Sequence, residues 1–206
     1  MYVNLRRYPK IAASKEAIAR SVEDELLPEL RKEPGFKGYC AFRGEDGAGV
    51  SVSVFEDREA ALRSTHTARQ WVMRHQDFFL ERGEEFSGEC MVHEGPYGAE
   101  QGAGESRLSL YVLVRELENV PGTQDTRAFV EQRTLPMITR SPGFQGVYMV
   151  RSDRDPARAA VVTFFDTKEQ AAASHAKAVE LLKEGLPKVV VTRVVQGQST
   201  VLAVGG

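Results

Sequence analysis

The feature of this sequence that most restricts its fold is an internal repeat. Segment 33–42 reads EPGFKGYCAF, and segment 141–150 reads SPGFQGVYMV. When residues 27–43 are aligned with residues 135–151, seven of seventeen positions are identical, including two prolines and two glycines. Self-similarity at about half the length of the 206-residue chain predicts a duplicated domain.

The repeat predicts two units joined by a linker. The sequence GPYGAEQGAGES between the copies is rich in glycine and polar residues, which is typical of a flexible connection. We therefore expect a first unit over residues 1–96, a linker over 97–107 and a second unit over 108–206.

Within each copy the residue pattern predicts the order strand, helix, strand, strand, helix, strand. In GVSVSVF, valines alternate with serines, the period of two that marks a strand. Apolar residues at helical spacing predict a long helix over about residues 57–81. Pro28 and Pro136 interrupt the first helix of each copy and should kink or shorten its last turn, because proline has no N–H to donate.

This order is that of the ferredoxin-like unit, so the predicted class is α+β with two fused ferredoxin-like units. Two helices cover one face of such a sheet, and the other face needs a partner. A fused second copy can supply it, which predicts an intramolecular dimeric α+β barrel. Unpaired strand edges would still allow the fused unit to form a homodimer.

Composition and motifs exclude several classes of partner and site. The net charge is −2 and no basic stripe occurs, which argues against nucleic acid. No apolar run is long enough for a membrane helix, so we expect a cytoplasmic protein. Cys40 and Cys90 lack CxxC spacing, four histidines are scattered, and no metalloprotease or phosphate-binding motif occurs. We expect no metal site.

The sequence resembles the dimeric α+β barrel superfamily and, within it, the antibiotic biosynthesis monooxygenase-like group. The resemblance is carried by YVNLRRY, PGFKGYCAF, GVSVSVFED and EAALRSTHTARQWV in the first copy, and by LYVLVREL, PGFQGVYMV and AVVTFFDTKEQAAASHAKAVELL in the second. It implies either an oxygenase that works without a metal on an aromatic substrate, or a haem-degrading enzyme.

Three polar or aromatic residues of the first copy are candidates for a site. Asn4 lies on the first strand, and Trp71 and His75 lie one turn apart on the long helix. Their counterparts in the second copy are Leu113, Leu181 and Gly185. The fold therefore does not require these side chains. The alternative to a role in a site is a structural one, as an Asn near a strand end, a Trp of the core and a hydrogen-bonded His of the core.

The expected function is a cofactor-independent monooxygenase-like protein that binds a small aromatic or quinol-type molecule in the cavity of the first unit. His75 would take a proton, Asn4 would hydrogen-bond the developing oxyanion, and Trp71 would stack on the ring. His175 is the comparable inward-facing polar group of the second unit, whereas His66 is expected to be exposed.

Two alternatives remain at this stage. The first is a non-catalytic small-molecule-binding or structural module, whose duplication serves stability. The second is a haem-binding or haem-degrading protein with His75 as the cofactor-binding axial ligand. The spacing of Trp71 and His75 disfavours haem, because the resemblance implies about three helical turns between these residue types.

Overall fold

The structure, a computed structural model, describes residues 1–94 and 109–205. The predicted linker, 97–107, lies outside these described residues. By contacts between residues the chain forms two compact units. In the described chain, unit 1 comprises residues 1–89, 109 and 198–205, and unit 2 comprises residues 90–94 and 110–197.

Unit 1 begins with the strand and helix order that the sequence predicts. Its elements are β1 (Tyr2–Tyr8), α1 (Lys15–Ser21), α2 (Leu27–Lys32), β2 (Phe36–Arg43), β3 (Gly49–Phe55), α3 (Arg58–Arg74) and the first part of β4 (Glu84–Glu94). β1 lies between β4 and β3, and β2 pairs with the other side of β3, all antiparallel.

Unit 2 repeats the arrangement. Its elements are β5 (Tyr111–Glu118), α4 (Thr123–Phe129), α5 (Leu135–Thr139), β6 (Phe144–Ser152), β7 (Ala159–Phe165), α6 (Lys168–Gly185) and the first part of β8 (Val190–Val204). Tyr111 faces Phe165 across β5 and β7, just as Tyr2 faces Phe55 across β1 and β3. The α+β class and the duplicated ferredoxin-like unit are confirmed.

The repeated PGF motif turns the chain from a helix into a strand. Gly35 has φ +84° and Gly143 has φ +69°, which is the left-handed region where only glycine avoids a steric penalty. Both following strands also shift register by one residue, at Phe36 and at Phe144. The motif is therefore repeated because the same turn is built twice.

The sequence predicts that the prolines kink or shorten the helix, and the helical residues continue past each proline without the shortening. A five-residue π-helical segment, Val22–Leu26, precedes Pro28, and Val130–Thr134 precedes Pro136. In each copy the residue before the proline donates its N–H to the carbonyl five residues back. The wider turn lets the helix continue through a position that cannot donate a hydrogen bond.

Two other boundaries also differ from the sequence prediction. α3 ends at Arg74 rather than near residue 81, because His75 leaves the helical conformation at φ −118°, ψ 41°. A short 3₁₀ turn, Gln76–Phe78, follows. The expected last strand and extra edge strand are one continuous strand, β8, whose final residues pair with β2 in unit 1.

Apolar residues of the helices and sheet form a core in each unit. In unit 1 the buried face of the first helical region, from Val22 to Leu30, packs with Tyr2, Tyr39 and Trp71. In unit 2, Val130 and Ile138 occupy the matching positions. Both cysteines are free thiols; Cys40 is buried and Cys90 is half-buried.

Candidate functional site

A pocket opens between the sheet and the helices of unit 1. Its empty volume is about 650 Å³, part of which is open to solvent. The aromatic and polar side chains that line it are Arg6, Tyr8, Lys15, Tyr39, Phe42, Arg43, Ser51, Trp71, Phe79 and Thr200. Four aliphatic residues between the start of α1 and the end of α2 form part of the remaining wall: Ile18, Val22, Leu26 and Leu30. An apolar pocket with a few convergent polar groups is the usual form of a small-molecule site.

Hydroxyl groups line the sheet side of this pocket. Tyr39 is buried, and burial raises the pKa of its phenol well above the usual range, with Tyr8 adding to the rise and Arg6 and a hydrogen bond from Ser51 opposing it. Burial likewise raises the pKa of Tyr8. Both phenols are therefore protonated at neutral pH and can donate hydrogen bonds to a ligand.

Two arginines add positive charge. Arg6 is 7% exposed, and its Nη2 donates a 3.0 Å hydrogen bond to Thr65 Oγ1. Its Nε lies 3.5 Å from a Glu85 oxygen. Arg43 donates to the carbonyls of Ala13 and Ile11, which fixes the segment after β1 at the pocket wall.

Trp71 forms an aromatic wall of the pocket. It is 4% exposed, and its ring lies 6.0 Å from that of Phe79 in an edge-to-face arrangement. Its Nε1–H is buried and finds no acceptor among the described residues. A ligand oxygen would satisfy this donor, since buried tryptophan N–H groups usually have a partner.

His75 contacts Trp71 but does not line the pocket. Its Nδ1–H donates to the Trp71 carbonyl at 2.9 Å, and its Nε2 lies 3.0 Å from Ser21 Oγ and 3.2 Å from a Glu25 oxygen. Both ring nitrogens are engaged, so in this position His75 does not fit the role of an axial haem ligand. The proton-accepting role predicted for it stays a prediction.

Asn4 is also placed away from the pocket lining. It is 5% exposed, and its amide donates to the Ala61 carbonyl at 3.1 Å and lies 3.4 Å from Thr65 Oγ1. Asn4 thus ties β1 to α3. Of the three residues proposed from the first copy, the structure brings Trp71 to the pocket; the catalytic role of Asn4 stays a prediction.

His66 and His175, the other two histidines that the sequence analysis placed, lie as expected. His66 is exposed on α3 and contacts Gln70. His175 is half-buried on α6, and its Nδ1 accepts a 2.9 Å hydrogen bond from Arg115 Nε. Burial and then the charge of Arg115 lower the pKa of His175, which is consistent with a neutral imidazole.

Unit 2 has a pocket at the equivalent place, with different walls. Its empty volume is about 610 Å³. Tyr8 and Ser51 of unit 1 are replaced there by Leu117 and Val161. Arg115, Thr126 and Thr134 are its polar lining residues, and every other wall residue is apolar. The two pockets have therefore diverged in chemistry.

The same asymmetry could have identified residues that the sequence analysis did not single out for a role. Tyr8, Tyr39 and Ser51 are polar in the first copy, and their counterparts in the second are apolar. Those counterparts are Leu117, Val147 and Val161. Arg6 and Arg43 escape this comparison, because arginine occupies both copies.

No cluster of three or more potential metal ligands occurs within residues 1–94 and 109–205. Among the helices of the described chain, none has the length and hydropathy needed to cross a membrane.

Comparison with solved structures decides the fold. A "putative monooxygenase" from Fusobacterium nucleatum matches with a TM-score of 0.76 at 10% identity, covering 100% of this chain and 94% of that one. The chain has the dimeric α+β barrel fold. An anthrone oxidase-like protein shares this fold, with a TM-score of 0.63 and 11% identity over 100% of this chain and 93% of that one. A mutant chlorite dismutase from Candidatus Nitrospira defluvii also shares it, with a TM-score of 0.62 and 11% identity over 96% of this chain and 91% of that one.

The sequence comparisons add nothing to this assignment. No protein-family profile matches the chain. No curated protein matches it in sequence either. At these identities the structural likeness establishes the fold, and the activity has to be argued from the pocket.

Proposed function

We propose that unit 1 binds a small phenolic or quinol-type aromatic molecule as its anion and oxygenates it with dioxygen, without a metal or organic cofactor. The observation that carries the proposal is the lining of the unit 1 pocket. It joins an aromatic wall at Trp71 and Phe79 to the cations Arg6, Arg43 and Lys15. No carboxylate or imidazole is among the residues that line it.

This lining favours ionisation of the ligand. A positive charge within a few ångströms of a phenol stabilises its phenolate and lowers its pKa. Because the wall offers no basic carboxylate or imidazole, the proton leaves to solvent through the open side. Protonated Tyr39 and the unpartnered Trp71 Nε1–H then serve as donors to the anionic oxygen.

The proposed reaction is balanced as follows. An ionised aromatic with a reactive CH₂ group transfers one electron to dioxygen, and the resulting radical and superoxide combine in a C–O bond. The peroxide takes up a proton and loses water, which leaves a carbonyl group. In total, one CH₂ group and one O₂ give one C=O and one H₂O. The enzyme's part is to hold the anion in a partly enclosed, positively charged pocket.

The fold comparisons support this choice among the alternatives. Proteins described as a "putative monooxygenase" and as anthrone oxidase-like have the same fold, and anthrones carry such a CH₂ group. The chlorite dismutase likeness keeps a haem-related function among the candidates, but the engaged nitrogens of His75 do not favour it.

The first test follows ligand binding and ionisation together. Trp71 is the only tryptophan, so its fluorescence reports on this pocket. We expect para-nitrophenol to quench it saturably and to show the phenolate absorbance band at a pH below the pKa of the free phenol. Arg43→Gln should weaken binding about tenfold, the usual effect of losing one charged contact. Its counterpart Arg151→Gln, outside both pocket linings, should not.

The second test is oxygen uptake with an anthrone, whose reactive CH₂ group the proposed reaction requires, measured against the uncatalysed rate. Uptake that saturates with substrate and falls in Arg43→Gln would support the oxygenase step. Binding without uptake would leave a ligand-binding module, which is the non-catalytic alternative. Absence of both would overturn the proposal, and a saturable haem spectrum would move the protein to the haem-related candidates.

A further inference from the structure

Unit 2 contains a buried cation with no counter-charge in the described chain. Arg115 is 2% exposed. Its Nε donates to His175, which is neutral in that role, and its Nη2 has no hydrogen-bond partner among the described residues. Burial lowers the pKa of Arg115 to about 10, so the guanidinium is still charged at neutral pH. A buried charge without a partner is costly, and proteins rarely keep one without use.

The equivalent residue of unit 1 shows what is missing. Arg6 has the same place on its strand, but it lies 3.5 Å from a Glu85 carboxylate oxygen and donates to Thr65. Arg115 has His175 where Arg6 has Thr65, and residues 109–205 and 1–94 give it no carboxylate. Both copies of the repeat therefore keep a buried arginine at this position, but only the arginine of unit 1 is paired with a carboxylate in the described chain.

The unpartnered guanidinium lines the apolar pocket of unit 2. A second buried polar atom without a partner, Thr134 Oγ1, belongs to the same lining. Its counterpart in unit 1 is Leu26, so this hydroxyl is not a requirement of the fold. The third polar lining residue, Thr126, is satisfied, because it donates to the Pro121 carbonyl and accepts from Arg151. The other walls include Leu117, Met149 and Leu182.

We propose that the unit 2 pocket is a second ligand site, specific for a small apolar monocarboxylate. The carboxylate accepts hydrogen bonds from the Arg115 guanidinium, and its alkyl or aryl part lies among the apolar walls. One guanidinium balances one negative charge, and the planar fork of an arginine matches a carboxylate. Apolar walls favour a hydrocarbon tail over a sugar or a nucleotide. This site is separate from the phenolic site proposed for unit 1.

The experiment is calorimetric titration of the full chain with three carboxylates (butanoate, octanoate and phenylacetate) and with octanol as a neutral comparison. We expect one-to-one binding of at least one carboxylate, and weaker binding of octanol. Arg115→Met should weaken carboxylate binding about tenfold to a hundredfold, as expected for loss of a charge-assisted hydrogen bond. The native emission of Trp71 should persist in that variant, which shows that unit 1 is folded whether or not it binds a phenol.

A second variant covers the case in which Arg115→Met does not fold. Ala178→Leu adds bulk to the pocket wall and leaves the arginine in place, so it should also weaken carboxylate binding. Saturable binding of none of the three carboxylates would overturn the proposal. So would equal affinity for octanol and octanoate, or binding that changes Trp71 fluorescence and persists in both variants. Each of these results is independent of whether unit 1 oxygenates a phenol.

Discussion

Arg6 and Arg115 occupy the same position of the repeat, yet their surroundings give them different tasks. Arg6 shares its charge with Glu85 and faces a pocket with hydroxyl groups. Arg115 bonds a neutral histidine and faces hydrocarbon. The helix residue opposite each arginine, Thr65 or His175, is also equivalent in the repeat. A duplicated unit can thus keep a buried cation and change its chemistry through its neighbours.

The Arg115–His175 pair predicts a dependence of stability on acid. The pKa of His175 is lower in the folded chain than in the unfolded chain, so unfolding takes up a proton between those two values. The contribution of neutral His175 to the free energy of unfolding is fully present above pH about 6.5, and it is lost as the pH falls through the pKa that His175 has in the folded chain. Urea unfolding from neutral to mildly acidic pH should show this loss, and His175→Gln should reduce the slope. An unchanged slope in that variant would contradict the assignment.

Gly49 predicts a local test of the unit 1 pocket. A Cβ at Gly49 would lie 2.1 Å from Ile11 Cδ1, and both residues line the pocket. We expect Gly49→Ala to turn the end of the Ile11 side chain aside, at a cost of no more than about 1 kcal/mol of unfolding free energy, and to weaken para-nitrophenol binding. The counterpart on β7 is Ala159, so the strand itself accepts alanine.

Gly122→Ala is the control for this change, because nothing lies within 4 Å of its added Cβ. It should leave para-nitrophenol binding unchanged, and because Gly122 is the N-cap of α4, a position where alanine is less favourable than glycine, its effect on unfolding should not exceed about 1 kcal/mol. A Gly49→Ala protein that matched the wild type in both measurements would show that Ile11 moves without cost.

The residues of the pocket could be predicted only in part. Trp71 was found because its counterpart is Leu181, and the same comparison was available for Tyr39 and Val147. The same comparison also selected Asn4 and His75, although neither lines the pocket. Their hydrogen bonds to Ala61 and Trp71 decide where they point, and those bonds depend on the distance between elements, which sequence spacing does not give.

At the scale of elements, turn chemistry and periodicity predicted the strands and helices, and packing set the exceptions. PGF requires a left-handed glycine, so its meaning was readable. The π-helical segments before Pro28 and Pro136 could not be predicted from the sequence. The hydrogen bond to the carbonyl five residues back competes there with that of an ordinary helical turn. No glycine or proline marks the end of α3. The ring of His75 ends it by bonding the Trp71 carbonyl.

The contacts of His75 therefore predict that its removal weakens the packing of α3 against α1. Through Nε2 it contacts Ser21 and the adjacent Glu25, and through Nδ1 it caps its own helix. We expect His75→Ala to lower the unfolding free energy by about 1–2 kcal/mol, from the lost hydrogen bonds. The control His66→Ala removes an exposed histidine of the same helix and should stay within about 0.5 kcal/mol.

Oxygen uptake by folded His75→Ala, measured below its unfolding temperature, separates two roles. Complete loss of uptake would support the general base predicted from the sequence. Uptake that follows only the fraction of folded protein would assign His75 to structure.

At the scale of the molecule, the compact units are not continuous in sequence. Unit 1 includes residues 198–205, and their strand residues pair with β2 from Gly38 to Phe42. We expect a fragment of residues 1–96 to expose the edge of β2 and to self-associate, because an unpaired strand edge is a template for another chain. Light scattering and Trp71 fluorescence of the fragment would show this.

The full chain is the control for that experiment, and an added peptide of residues 198–206 should reduce the association. A monomeric 1–96 fragment with native Trp71 emission would show that the first repeat folds alone, as the predicted domain boundaries imply.

The pairing of β8 with β2 also has a consequence for synthesis in the cell. Thr200 belongs to the lining of the unit 1 pocket and donates a hydrogen bond to the Ala41 carbonyl, although it follows residues 110–197 of unit 2 in the sequence. Residues 1–89 of unit 1 are therefore translated first, and unit 1 cannot be completed until unit 2 has also been translated. A product that stops short of residue 200 would lack one wall of the unit 1 pocket, so the proposed phenolic site is complete only after translation has passed that point.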